Sequence, residues 1–156
     1  MLDTKEIDFD LDRCEKVLRQ NDYMEIVIAI EELQDKYRDK IDCIIENENN
    51  IVWNYSRKDL ENIEKYLSEY KKEMIQKEKL KNIYEKLKDL RMYIKNNDMN
   101  HKEDIKVIIN LIEEVNSKDI SLDKKYEELK ACFDMLKDID RKMSIYILEL
   151  ITLVIK

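Results

Sequence analysis

The chain contains neither glycine nor proline, and these two absences narrow the reachable folds more than any other feature of the sequence. Without glycine no residue enters positive φ cheaply, so two-residue hairpins, bulges and glycine-type helix C-caps are largely closed. Without proline nothing forces a helix to stop. Sheets rely on such turns, whereas helices can be joined through Asn, Asp and Ser. The expected fold class is therefore all-α.

Whether such a chain folds at all is a question of apolar content, because 42% of its residues are charged. Leu, Ile, Val and Phe together make up 29% of the 156 residues, above the roughly 20% below which chains stay disordered. A single domain of this length buries roughly 70% of its unfolded surface without disulfides or metals. Alanine, the best helix former, occurs only at Ala29 and Ala131, so the composition is not tuned for helicity. Scarce Ala, Gly and Pro beside abundant Ile, Lys and Asn fit AT-rich coding DNA, as in a low-GC bacterium, its phage or plasmid, or an AT-rich protozoan.

The net charge of −7 is unevenly spread. Residues 1–50 carry 7 basic and 15 acidic groups, residues 51–96 carry 12 and 8, and residues 97–156 carry 10 and 13. An acidic chain is a poor general binder of nucleic acid, whose phosphates call for a clustered basic surface. The basic segment 57–95 is the only part suited to a nucleic-acid-linked regulator, and its Lys residues interleave with Glu. Cys14, Cys43 and Cys132 are odd in number, widely spaced and form no CxxC pair. Buried thiols in a reducing compartment are expected. The acidic opening MLDTKEIDFDLD has no apolar core of a secretory signal, so a cytoplasmic location is expected.

Apolar periodicity places the helices. Ile7, Leu11, Cys14 and Leu18 mark a first helix, broken near Asn21–Asp22. Ile26, Ile30, Leu33, Tyr37, Ile41 and Ile44 mark a longer second one, widened at its start by Val27, Ile28 and Ala29. A loop at Asn47–Asn54 follows. Ser56 and Asp59 then form an S-x-x-D helix start, flanked by Tyr55 and Leu60 at the positions of a hydrophobic staple. Leu60, Ile63, Leu67, Tyr70 and Met74 make one stripe, and Leu80, Ile83, Leu87, Leu90 and Ile94 another, about 150–180° around at 100° per residue. Between them lies the polar run Gln76-Lys77-Glu78-Lys79. A turn there is expected, the alternative being one long helix passing between two separate packing partners. Asn100 and Glu103 form a cap pair before Ile105, Ile108, Ile112 and Val115. One last helix is expected from about Leu122 to Val154. The whole reads as an all-α helical bundle of about five to seven helices, partly antiparallel, with an elongated form allowed. It is taken as one domain over 1–156, with subdivision near 76–79 as the alternative.

Catalytic equipment is hard to find. Without glycine there is no P-loop, dinucleotide fingerprint or nucleophile elbow. The single histidine, His101, lies between Asn100 and Lys102 in a polar helix start and reads as a solvated side chain. Asp8, Asp10 and Asp12 echo the opening of a calcium loop, but Arg13 and Arg19 stand where Gly and Glu are required. These acids instead suit the N-terminal dipole of the first helix. No enzyme activity, no metal and no cofactor are expected.

Two features point toward a protein partner. The segment Ile51-Val52-Trp53-Asn54-Tyr55 places the only Trp in a loop, where it either folds back to cover the end of the bundle or stands exposed, and exposed Trp and Tyr dominate binding hot spots. Residues 145–155, with Tyr146, Leu150 and Leu153, are apolar nearly all round yet too short to span a bilayer. They suit a central helix, an interface with another protein, or a homo-oligomer. The expected role is a non-enzymatic protein-binding regulator of inhibitor, immunity, antitoxin or adaptor type, with Ile51, Trp53, Tyr55, Tyr146, Leu150 and Leu153 as contact residues. A phage- or plasmid-encoded inhibitor of a host defence system is a compatible form of that role.

Overall fold

A computed structural model describes residues 3–46 and 54–156. Among the described residues there are seven α-helices and no strand: α1 (Thr4–Gln20), α2 (Tyr23–Tyr37), α3 (Asp42–Glu46), α4 (Arg57–Asn96), α5 (Lys102–Ser117), α6 (Leu122–Leu136) and α7 (Arg141–Ile155). The protein is an all-α helical bundle. Its contacts divide the chain into two compact units, Met1–Lys77 and Glu78–Lys156. Each unit has its own apolar core.

In the first unit, helix ends are made by Asn and Asp in place of glycine. Asn21 closes α1 in the left-handed region at φ 55°, its amide donating to the Val17 carbonyl. Asn tolerates this conformation better than most residues. Asp22 at once caps α2, its carboxylate accepting from the amides of Met24 at 2.9 Å and Glu25 at 3.2 Å. Two adjacent residues thus stop one helix and start the next, as the sequence predicts.

The second helix does not run on to Ile44. It ends at Tyr37, where the Lys40 and Ile41 amides both turn back to the Tyr37 carbonyl. Ile41 and Ile44 are still buried, so the apolar spacing continues across the turn and hides it. The core of this unit joins Ile7, Cys14 and Val17 of α1 to Ile26, Ile30 and Leu33 of α2 and Leu60, Ile63 and Leu67 of α4. Arg57 ties the start of α4 to the end of α1, donating to the Leu18 carbonyl at 2.6 Å and to Asn21 Oδ1 at 2.9 Å.

Helix α4 begins directly after Ser56, where the S-x-x-D spacing places its start. Asp59 Oδ2 accepts from both the Ser56 amide at 2.6 Å and the Ser56 hydroxyl at 2.8 Å. The carboxylate, not the hydroxyl, satisfies the exposed donor. The helix then continues unbroken to Asn96, which corrects the expected turn at Gln76–Lys79. Gln, Lys and Glu are all good helix formers, and nothing in that run breaks a helix. The change of stripe reflects a change of packing partner: Leu60, Ile63 and Leu67 serve the first core, and Ile83, Leu87, Leu90 and Ile94 the second. Leu80 is exposed and belongs to neither.

In the second unit α5, α6 and α7 pack against one another. His101 sits at the start of α5 in the left-handed region at φ 61°, with no side-chain capping bond, in place of the expected Asn100–Glu103 cap pair. The single terminal helix expected from Leu122 to Val154 is in fact two. Asp140 caps α7 by accepting from the amides of Lys142 at 3.0 Å and Met143 at 3.5 Å. Ser144 reaches back to the carbonyls of Leu136 at 2.9 Å and Ile139 at 3.3 Å, satisfying acceptors at the end of α6. Ile139 in the link is buried, so here too the apolar pattern runs straight through a break.

Candidate interaction surface on the last helix

Helix α7 is apolar on more than the face its own core needs. Met143, Ile147, Leu150, Ile151 and Val154 point inward and are buried. Ile145 and Leu148 remain 47% and 40% exposed, and with Thr152 they recur at the i, i+3, i+7 spacing of a second helical face. Leu153 is half-buried beside them, packed against the core. Together with Lys86, Glu149 and Lys156 these residues line an open groove of about 500 Å³. Thr152 satisfies its hydroxyl within the helix, donating to the Leu148 carbonyl at 2.8 Å. Its methyl group is left as the part available for contact.

The groove has a fixed wall. Tyr146 donates to the Lys86 carbonyl of α4 at 3.3 Å, and the Lys86 ammonium lies 5.3 Å from the Tyr146 ring centre. That contact combines a hydrogen bond with a cation–π attraction. Burial, then the charges of Asp89 and Glu149, push the Tyr146 hydroxyl above its ordinary pKa, so it stays a neutral donor at physiological pH. Lys86 and Lys156 place cations along the groove and Glu149 a single carboxylate. Chemically this is a shallow apolar trough with a polar rim, the anatomy of a protein contact site.

The residues expected from sequence to make partner contacts fare differently. Ile51 and Trp53 lie outside the described residues. Tyr55 is only 8% exposed and donates its hydroxyl to Gln34 Oε1 at 3.0 Å, so it serves the core of the first unit. Leu150 is fully buried in the second core; both placements correct the expectation of contact surface. Tyr146 is half-buried as the anchor just described, and Leu153 lines the groove. Ile145, Leu148 and Thr152 fall within the apolar run 145–155 but are not singled out by the sequence. They become visible once the core stripe 143-147-150-154 is subtracted from the apolar run, because what remains is itself periodic.

Other chemistry-bearing residues stand apart from this surface. Asp10 of α1 is buried, with Oδ2 accepting from the Tyr37 hydroxyl and from Lys36 Nζ, each at 2.6 Å. Glu6 adds a second carboxylate to Lys36 at 3.1 Å. This replaces the expected role of the Asp8-Asp10-Asp12 run as a complement to the helix dipole: Asp8 pairs with Lys71, and Asp10 is a core group. Cys14 and Cys132 are buried as expected, but Cys43 is exposed. Burial, helped by the charges of Glu64 and Asp10, pushes the Cys14 thiol up to about 12, and burial raises Cys132 as well. Both are poor nucleophiles in the folded protein. His101 is exposed, its Nδ1 3.3 Å from Asp104 Oδ2. Among the described residues no three His, Cys, Asp or Glu side chains gather as a metal site. Among them, too, no helix is long and apolar enough to cross a membrane.

Comparison with protein-family models, with curated proteins and with solved structures finds no match for this chain.

Proposed function

We propose that this protein is a non-enzymatic binding protein that acts by occupying the surface of another protein, and that the outer face of α7 is the contact. The supporting observation is the exposed row Ile145, Leu148 and Thr152 on a helix whose opposite face already fills the core of its unit. The occupant is an amphipathic helix of the partner, laying apolar anchors into the trough at the i, i+3, i+7 spacing that helix-in-groove recognition uses. Lys86 and Lys156 favour acidic residues flanking those anchors. Inhibitors, immunity proteins, antitoxins and adaptors all work in this way, by covering a surface with no chemistry of their own.

The test is a double substitution, Ile145→Ser with Leu148→Ser. Both side chains are substantially exposed, so the cost to stability should stay within about 0.5 kcal/mol each. A matched control, Met24→Ser with Ile28→Ser, removes exposed apolar groups from α2. The partner is captured from the native host by wild-type protein, purified, and titrated against all three forms. The α7 variant should lose at least about tenfold in affinity, or roughly 1.4 kcal/mol, and the α2 control almost nothing. Equal binding by wild type and the α7 variant would remove the reading. A doubled mass in light scattering that returns to monomer in the α7 variant would make the occupant a second copy of this chain, and would likewise overturn it.

A further inference from the structure

The first unit presents an outward helix face whose charges its own fold disfavours. Helix α2 buries Ile26, Ile30, Leu33 and Tyr37. On its opposite side Met24, Ile28, Glu31 and Asp35 follow at spacings of four, three and four, so they form one row along the helix. All four are exposed, Met24 by 47% and Ile28 by 40%. The row is apolar in its first half and acidic in its second.

Neither half serves the packing or the electrostatics of α2. Met24 and Ile28 belong to neither core. Carboxylates are favoured near a helix N-terminus and cations near its C-terminus, where the free carbonyls carry negative potential. Glu31, Glu32 and Asp35 nevertheless occupy the last two turns. Glu31 and Asp35 are also four apart, a spacing at which like charges repel. The single cation of α2, Lys36, does not offset them, because it turns to Asp10 and Glu6 of α1. Glu32 is matched by Arg13 of α1. Glu31 has no ion pair among the described residues, and Asp35 has only a contact of 3.4 Å to Arg38. Sequences break such local rules chiefly where function asks for it.

The two halves together describe an occupant. Exposed apolar side chains beside uncompensated carboxylates match a helix that carries apolar anchors next to lysines or arginines. We infer that the outer face of α2 is a docking surface for a basic amphipathic helix of another protein. Met24 and Ile28 receive its apolar residues, and Glu31 and Asp35 its cations. The row from Met24 to Asp35 is about 16 Å long, matching about three turns of a facing helix. This surface takes the opposite charge from the α7 groove, whose rim carries Lys86 and Lys156. It does not rest on the reading of that groove.

An acidic chain attracts any polycation, so the experiment must separate docking from bulk attraction. The full chain is titrated calorimetrically at about 150 mM salt, where charges are screened beyond about 8 Å. Three synthetic helical peptides of equal length are the probes. One is an amphipathic Leu/Lys helix, one its Leu/Glu counterpart, and one replaces every Leu of the first by Gln. The Leu/Lys peptide should bind one per chain, at least about tenfold more tightly than either of the others. The Met24→Ser, Ile28→Ser variant and the Glu31→Gln, Asp35→Asn variant should each weaken it at least about fivefold. The Ile145→Ser, Leu148→Ser variant should bind it as wild type does, so this surface stands or falls separately from the one on α7. Relief of the repulsion should leave the Glu31→Gln, Asp35→Asn variant with a urea midpoint equal to wild type or higher. The inference is overturned by no binding of the Leu/Lys peptide at millimolar concentration, or by equal binding of the Gln/Lys or Leu/Glu peptide. Wild-type affinity in either α2 variant, or loss of binding in the α7 variant, overturns it as well. So does a lower urea midpoint in the charge variant, which would make these carboxylates part of the fold.

Discussion

The two units fill their cores with different company. In the first, Asp10 and Gln34 are buried among the apolar side chains, each hydrogen-bonded to a tyrosine hydroxyl, Tyr37 and Tyr55 respectively. In the second, the buried side chains among the described residues are Leu, Ile, Val, Met and Cys alone. The first unit therefore depends on partners that must be matched one to one, since a buried polar group left alone costs far more than a satisfied one contributes. The second depends on volume and shape, which are forgiving of exchange among hydrophobes. The α7 groove and a cavity between α4 and α5 both lie in the second unit.

This contrast can be broken most directly through Leu150. Leu150→Ala empties a fully buried site and should cost about 3–4 kcal/mol. Amide hydrogen exchange should show α5, α6 and α7 losing protection while α1 and α2 keep theirs. Uniform loss across all helices would mean that the two cores unfold as one, and the comparison between them would lose its basis.

The next effect concerns the polar core. Asp10→Ala removes the acceptor of the Tyr37 hydroxyl and of Lys36, and should destabilise the first unit by about 2–3 kcal/mol, less than a fully buried pair because Lys36 reaches solvent. Tyr37→Phe, which leaves the Asp10–Lys36 pair intact, should cost only about 1 kcal/mol. Urea titrations of both variants decide the matter: equal costs would show that the carboxylate is not the centre of the network.

A further effect, absent at neutral pH, is a difference in alkaline stability. Cys14 has an ordinary pKa of 9.0 and is pushed up to about 12 in the folded chain, mainly by burial. Burial and the bond to Asp10 push Tyr37 up still further. A group whose folded pKa is raised adds stability that is complete below its unfolded pKa and vanishes as pH rises through the folded one. The first unit should therefore weaken between about pH 9 and 12. Cys14→Ala should flatten part of that decline, measured as the change in urea midpoint at pH 8, 10 and 11. A decline of unchanged slope in the variant would assign it elsewhere.

The sequence alone determined the class of structure and most of the helix starts. A chain without Gly or Pro can hardly build anything but helices, and local rules sufficed wherever a boundary was made by a residue acting on its own backbone, as at Asn21, Asp22 and the Ser56–Asp59 pair. It also exposed the two apolar stripes along residues 60–94, because their angular offset is a property of spacing.

Tertiary structure decided the rest, and for a consistent reason. The breaks after Tyr37 and Leu136 escape detection because Ile41 and Ile139 are buried within the turns themselves, so apolar periodicity carries across a gap in the hydrogen bonding. Which cation meets which anion was likewise settled in space. Glu15 and Arg19 pair four apart on α1, whereas Glu32 and Lys36, also four apart, do not pair with each other: Glu32 meets Arg13 of α1, and Lys36 meets Asp10 and Glu6. Nor could composition reveal which cations gather: Arg91 and Lys106 are far from adjacent along the chain, and only the packing of α5 on α4 brings them around one cavity. Spacing along a chain records which residues share a face; which faces meet, and what charge gathers at their edges, exists only once the helices are packed.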